Sequence, residues 1–127
     1  MDPGRQKCGI AIVDCHGNVI RKTIIDTSAL NATAGEWLAS YPDSLIVLGD
    51  RTTSKQALKM LEPLGCPIEL VDEDRSSMEG KYRYLRENTR GLARLIPIGL
   101  RIPDRPFDDY VAVILAERFL KKHKFSN

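Results

Sequence analysis

The chain has 127 residues, with 19 Lys or Arg against 17 Asp or Glu and a formal net charge of +2 at neutral pH. This length predicts a single domain over residues 1–127, large enough for a real core but too short for two. A composition 43% hydrophobic and 28% charged excludes collagen-like, low-complexity and disulfide-rich classes.

The opening, Met1 to Val13, reads as strand, turn, strand. Pro3 and Gly4 mark the turn, and Ile10 to Val13 form an apolar strand. Asp2 then ends the first strand, at a sheet edge a metal ion could reach. The alternative is an ordinary hairpin whose aspartate only starts the turn. Asp14-Cys15-His16-Gly17-Asn18 is a turn cluster, and Val19 to Ile25 alternates as a third antiparallel strand. Asp26, Thr27 and Ser28 offer N-caps for a helix to about Tyr41, with Trp37 and Leu38 inward.

Leu45 to Gly49 is a continuous apolar run, as in a central strand covered on both faces. Thr53 or Ser54 can cap a helix to about Leu64, with Ala57, Leu58, Leu61 and Leu64 on one face. Ile68 to Val71 is a fifth short strand. Ser76 or Ser77 can cap a helix from Met78 to about Glu87, and Thr89 to Leu95 suits a further short helix. Pro97, Pro103 and Pro106 mark a stiff connection. Asp108 and Asp109 start a last helix to about Lys122, with Val111, Leu115 and Phe119 inward. The tail 121–127 is expected to fray. Three strands joined by short turns, followed by strands alternating with helices, predict an α/β fold. It has a mixed five-stranded sheet, three antiparallel strands then two parallel, with helices on both faces. Neither GxGxxG nor GxxxxGK[ST] is present.

Cys8, Cys15 and Cys66 form no CxxC and no Cys/His cluster, which argues against zinc and suits a reducing cytoplasm. No apolar run approaches a membrane span and no signal-peptide pattern opens the chain. A cytoplasmic protein without a membrane partner is expected. From Arg75 to Arg105 eight basic residues face three acids, a candidate phosphate-facing patch or a solvated face.

Acidic residues fall where such a sheet would bring them together. Asp2 ends strand one, Asp50 follows strand four, Glu73 follows strand five, and Asp108 and Asp109 open the last helix. Clustered carboxylates repel, so they imply a cation or raised pKa values. Oxygen-only donors favour Mg²⁺ or Mn²⁺, which can hold a phosphodiester and activate water. Arg5, Lys7 and Arg75 would suit a polyanionic substrate. Each acid also has a plainer use: Asp108 and Asp109 are well placed as helix caps, worth about 0.5–2 kcal/mol, Asp50 suits a turn, and Asp72 and Asp74 suit loop surface.

Three ordered segments resemble a known family. DPGRQKCGIAIVD resembles the first hairpin of RuvC-like nucleases of the YqgF group. Val71 to Glu79 resembles that group's V-D-E-R-x-[ST]-[ST]-x-E box, with Asp74 where Arg is usual. Asp108 to Leu115 resembles its D-x-x-A-A-x-x-[IL] helix, and Leu45 to Gly49 its central strand and glycine. The resemblance implies an RNase H-like fold and metal-dependent nucleic acid cleavage, with Asp2, Glu73 and Asp108 as catalytic and metal-binding triad. Asp109 replaces Asp108, and Asp50 the second acid, if the match is made to RuvC itself. Arg5, Lys7, Arg75, Arg83, Arg86, Arg90 and Arg94 would then contact nucleic acid. Pre-16S rRNA processing or Holliday junction resolution is the implied activity, by a monomer or a homodimer. The group carries several apolar residues before its first aspartate, so a native chain is expected to extend upstream of Met1. A non-catalytic nucleic-acid binder is the main alternative. A phosphotransferase on the related actin-like fold would need two domains and a paired phosphate loop.

Overall fold

β1 (Lys7–Val13) and β2 (Val19–Asp26) form an antiparallel hairpin in the computed structural model, which describes residues 1–51 and 53–123. The turn between them is built by Asp14, whose Oδ1 accepts hydrogen bonds from the backbone N–H of His16 (2.9 Å) and Asn18 (2.8 Å). This is the local side-chain-to-backbone bonding that makes aspartate a turn residue. Gly17 follows at φ +88°, a left-handed conformation that glycine adopts without a Cβ penalty. β3 (Ile46–Gly49) and β4 (Ile68–Val71) pair in parallel, joined through α2 (Ser54–Leu61) and a 3₁₀ turn over Glu62–Leu64. The other helices are α1 (Leu30–Ser40), α3 (Ser76–Asn88) and α4 (Asp108–His123).

The expected five-stranded mixed sheet of RNase H-like type is not formed. The described residues hold two separate two-stranded sheets, β1-β2 and β3-β4. The reason lies at Met1 and Asp2, which stand between the two pairs. Asp2 makes one antiparallel bridge to Gly9, with N–H to O distances of 2.9 and 3.0 Å. On the other side Met1 N donates to the Val47 carbonyl (2.7 Å), and the Met1 carbonyl accepts from Gly49 N (3.3 Å). Pro3 has no N–H to continue either ladder. Asp2 therefore ends no strand: it sits in an isolated bridge that ties the sheets side by side.

Helices cover both faces. On one, α1 and α2 pack Leu30, Ala34, Ala57 and Leu61 against Cys8, Ile46 and Leu48, all buried. On the other lies α4, in which every residue from Asp109 to Leu115 is buried. That all-round burial follows from its position between the strands and α3. An added Cβ at Gly80 of α3 would lie 2.7 Å from Val111 Cγ2, so only glycine allows this approach of α3 to α4. Trp37, Val111 and Leu115 are buried as their spacing predicts, whereas Phe119 is half-buried.

The side-chain caps expected for α1, α2 and α3 do not form. Thr53 makes no side-chain cap bond; the Ser54 hydroxyl instead donates back to the Gly49 carbonyl. α3 starts two residues earlier than expected, at Ser76, preceded by Arg75 in a left-handed conformation (φ 60°). The short helix expected at 89–95 is a 3₁₀ turn over Gly91–Leu95, with another at Ile98–Leu100 between the prolines. The last four residues of the expected frayed tail lie outside the described residues. No helix among the described residues is long and apolar enough to cross a membrane.

Candidate acidic site

Two glycines bring three acids together. Gly9, the third residue of β1, faces the start of α4: an added Cβ would overlap the Asp108 carbonyl and lie 2.9 Å from Asp109 N. The missing side chain lets α4 begin directly against the strand, opposite the Asp2 bridge. Gly49 ends β3, and an added Cβ there would overlap Glu73 Oε2 and lie 2.8 Å from Glu73 Cδ. The Glu73 side chain thus folds inward from the end of β4 into space that only glycine leaves open. Glu73 is 5% exposed, unusual for a glutamate without a fully neutralising partner.

The electrostatics show the cost of the arrangement. The Asp2 carboxyl is pushed up to about 7, first by burial and then by the charges of Asp108 and Glu73. Contact with Asp108 raises the Asp2 carboxyl further. Burial also raises Asp108, and contact with Asp2 lowers it. Glu73 is raised by burial and held back by Arg51. Glu73 Oε1 accepts from Arg51 N at 2.9 Å and lies 3.4 Å from Arg51 Nε.

The remaining acids are placed differently. Asp109 is buried but turned to Arg105, whose Nη1 and Nη2 lie 3.3 and 3.1 Å from its two oxygens. Its Oδ1 also accepts from Tyr110 N at 3.0 Å. Asp50 is exposed and accepts from Glu73 N at 3.3 Å, supporting the loop that carries Glu73. Asp72 and Asp74 are loop surface, bonded to each other through Asp74 N at 2.9 Å.

The basic residues divide in the same way. Arg5, Arg75, Arg86 and Arg90 are exposed. Lys7 is exposed and paired with Asp26 at 2.6 Å. Arg83 is committed to Glu117 and Glu87, within α3 and across to α4. Arg94 donates from Nε to the Thr89 carbonyl at 3.0 Å. Arg51 and Arg105, which hold Glu73 and Asp109, were not singled out from the sequence. Adjacency to Asp50 was the only signal for Arg51; for Arg105 it was the four-residue step to Asp109.

All the donors are carboxylate oxygens, which suit a hard divalent cation. Among the described residues no three His, Cys, Asp or Glu side chains are gathered tightly enough to hold one ion as they stand. Asp2 and Asp108 meet, while Glu73 is turned to Arg51. The set thus offers a carboxyl pair with a third carboxylate close enough to be felt. No protein-family model, no curated protein and no solved structure matches the chain.

Proposed function

We propose that the chain is a divalent-metal-dependent nuclease hydrolysing phosphodiester bonds of structured RNA or DNA. The observation that carries this reading is the half-buried Asp2–Asp108 pair with the buried Glu73 beside it, a grouping of like charges that disfavours its own ionisation. A site that must borrow a proton to exist is suited to exchange that proton for a cation. Asp2 and Asp108 would hold Mg²⁺ or Mn²⁺, with Glu73 as third ligand. When bound, the ion would supply a clamp on the phosphodiester oxygens and an acidified water. The chain's own part is to keep the carboxylates together through Gly9 and Gly49 and to present Arg5, Arg51 and Arg75 to phosphates. The resemblance of three ordered segments to RuvC-like nucleases supports the same chemistry. It favours pre-16S rRNA or a four-way junction as substrate, in a reducing cytoplasm; cutting both strands of a junction needs a symmetric dimer. Labelled junction, duplex and precursor rRNA incubated with Mg²⁺ or Mn²⁺ test this. Wild type should cleave one of them, and Asp2→Asn should abolish cleavage while folding normally. Undiminished cleavage by Asp2→Asn would remove the assignment.

The second reading is a binder of nucleic acid without catalysis. The bonds from Arg51 to Glu73 favour it, since Glu73 is already engaged and the Asp2–Asp108 pair is satisfied by its proton. This reading expects salt-sensitive binding that neither chelator nor Asp2→Asn changes.

A further inference from the structure

The segment over residues 91–102 exposes large aliphatic side chains that the core does not use. Leu92, Leu95, Leu100 and Ile102 are 83, 81, 73 and 88% exposed. Single exposed aliphatics are ordinary, but four on one short stretch are more than a solvated loop needs. The segment is nonetheless fixed in place. Gly91 turns at φ +66°, and Arg101 donates from Nε to the Ile96 carbonyl (2.8 Å) and from Nη2 to the Arg94 carbonyl (2.9 Å). Ile98 packs against the buried cluster of Tyr84, Leu85 and Tyr110. The arginines are drawn onto the backbone while the aliphatics face out. Bonds to neutral carbonyls position a guanidinium without cancelling its charge. Arg90, Arg94 and Arg101 therefore leave the patch cationic, with Asp104 as the one acid between Arg90 and Arg105. Just beyond it Arg105 grips Asp109, the neighbour of Asp108, so the chain that leaves the segment is anchored beside the acidic site.

We infer that the 91–102 segment is an apolar wedge that enters a base step of the nucleic acid, with Arg90, Arg94 and Arg101 on the flanking phosphates. This rests on the proposed function and adds the substrate class: a strand kinked or unstacked beside the cleaved bond. Aliphatic wedges that part stacked bases while cations hold the backbone are a general way to bend a duplex. An anionic lipid surface shares the charge and the apolar phase, but nothing in that partner calls for an anchor beside the acidic site.

The test uses a short duplex with a fluorescent base analogue at its central step, in chelator, with anisotropy for affinity. Wild type should bind and raise the analogue's fluorescence as it unstacks. The combined variant Leu92→Ser, Leu95→Ser, Ile102→Ser should bind about tenfold more weakly and lose the rise, with unchanged circular dichroism because these side chains are exposed. Equal affinity and an equal rise in this variant would overturn the wedge. Metal-dependent cleavage by wild type in the same preparation would then leave the nuclease reading standing. An intact wedge signal without cleavage under any metal would sink the nuclease reading alone. Failure to bind duplex, with sedimentation on phosphatidylserine vesicles that the serine variant loses, would overturn the wedge in favour of a lipid surface.

Discussion

Asp2 meets Asp108, more than a hundred residues away in sequence, and this contact adds to burial in holding a proton on the Asp2 carboxyl. The folded chain holds this proton at pH values where the unfolded chain has lost it, because the Asp2 carboxyl moves from 3.8 to about 7. The native state therefore binds more protons between these values, and its stability falls as pH rises through them. Burial shifts Asp108 and Glu73 in the same direction. The melting temperature should drop from about pH 4 to about pH 6; above that the Met1 amine, pushed down to about 6 by burial, releases its proton in the native state first and opposes the trend. Asp2→Asn keeps the shape without the charge. It should flatten the profile and stabilise the fold at about pH 8 by roughly 1–3 kcal/mol, allowing for partial exposure. Thermal melts of both proteins across this range check it. A wild-type profile that is flat or rising between about pH 4 and pH 6 would remove the proton held on Asp2.

Gly9 and Gly49 both make room for an acid, but with different consequences when filled. At Gly9 the obstacle is the backbone at Asp108 and Asp109, which can retreat only if α4 leaves the strand. Gly9→Ala should cost about 3 kcal/mol, at the upper end of overpacking effects. At Gly49 the obstacle is the end of the Glu73 side chain, which can swing away, with Leu115 Cδ1 at an ordinary 3.4 Å. Gly49→Ala should cost only about 1 kcal/mol yet displace the third carboxylate. Chemical denaturation beside a Mn²⁺ titration separates the two. Similar stability losses, or unchanged Mn²⁺ affinity in Gly49→Ala, would count against this division.

How far these features were legible depends on their range. The apolar runs at Ile46–Gly49 and Ile68–Val71 and the alternation of Val19–Ile25 marked strands because periodicity is local. The burial of Val111 and Leu115 followed from helical spacing. The joining of the sheets was not legible, because it rests on Met1 and Asp2 alone, too few residues to show any period. Arg51 meets Glu73 across 22 positions, and no spacing rule reaches that far. The capping role of Ser54 was not legible for a related reason: its hydroxyl donates to the Gly49 carbonyl at the end of β3 instead of accepting from a helix N–H. Asp108 and Asp109 were indistinguishable in sequence, since adjacent residues at a helix start both suit a cap. Which of them faces Asp2 is decided by Gly9 beneath them.

That difference gives the sharpest prediction. Asp109 is buried with Arg105 as its counter-charge, and only the arginine is well exposed, at 42% against 6% for the aspartate side chain. Arg105→Ala strands a buried carboxylate. The full penalty of a broken buried pair is about 3–5 kcal/mol, which water at the exposed arginine should reduce to about 2 kcal/mol. Asp109→Asn also loses the charge but keeps an acceptor for Tyr110 N, so it should cost about 1 kcal/mol. Asp108→Asn does the opposite. It relieves repulsion against Asp2 and Asp109 and should leave stability unchanged or higher at about pH 8. For Mn²⁺ binding the order reverses: Asp108→Asn should weaken it at least tenfold, while Asp109→Asn and Arg105→Ala leave it near wild type. Calorimetric titration with Mn²⁺, paired with melts of the three variants, reads both orders at once. If Asp109→Asn proved to be the variant that loses the ion, the carboxylate held by Arg105 would have to be released on binding, and the site would be centred one residue further along α4.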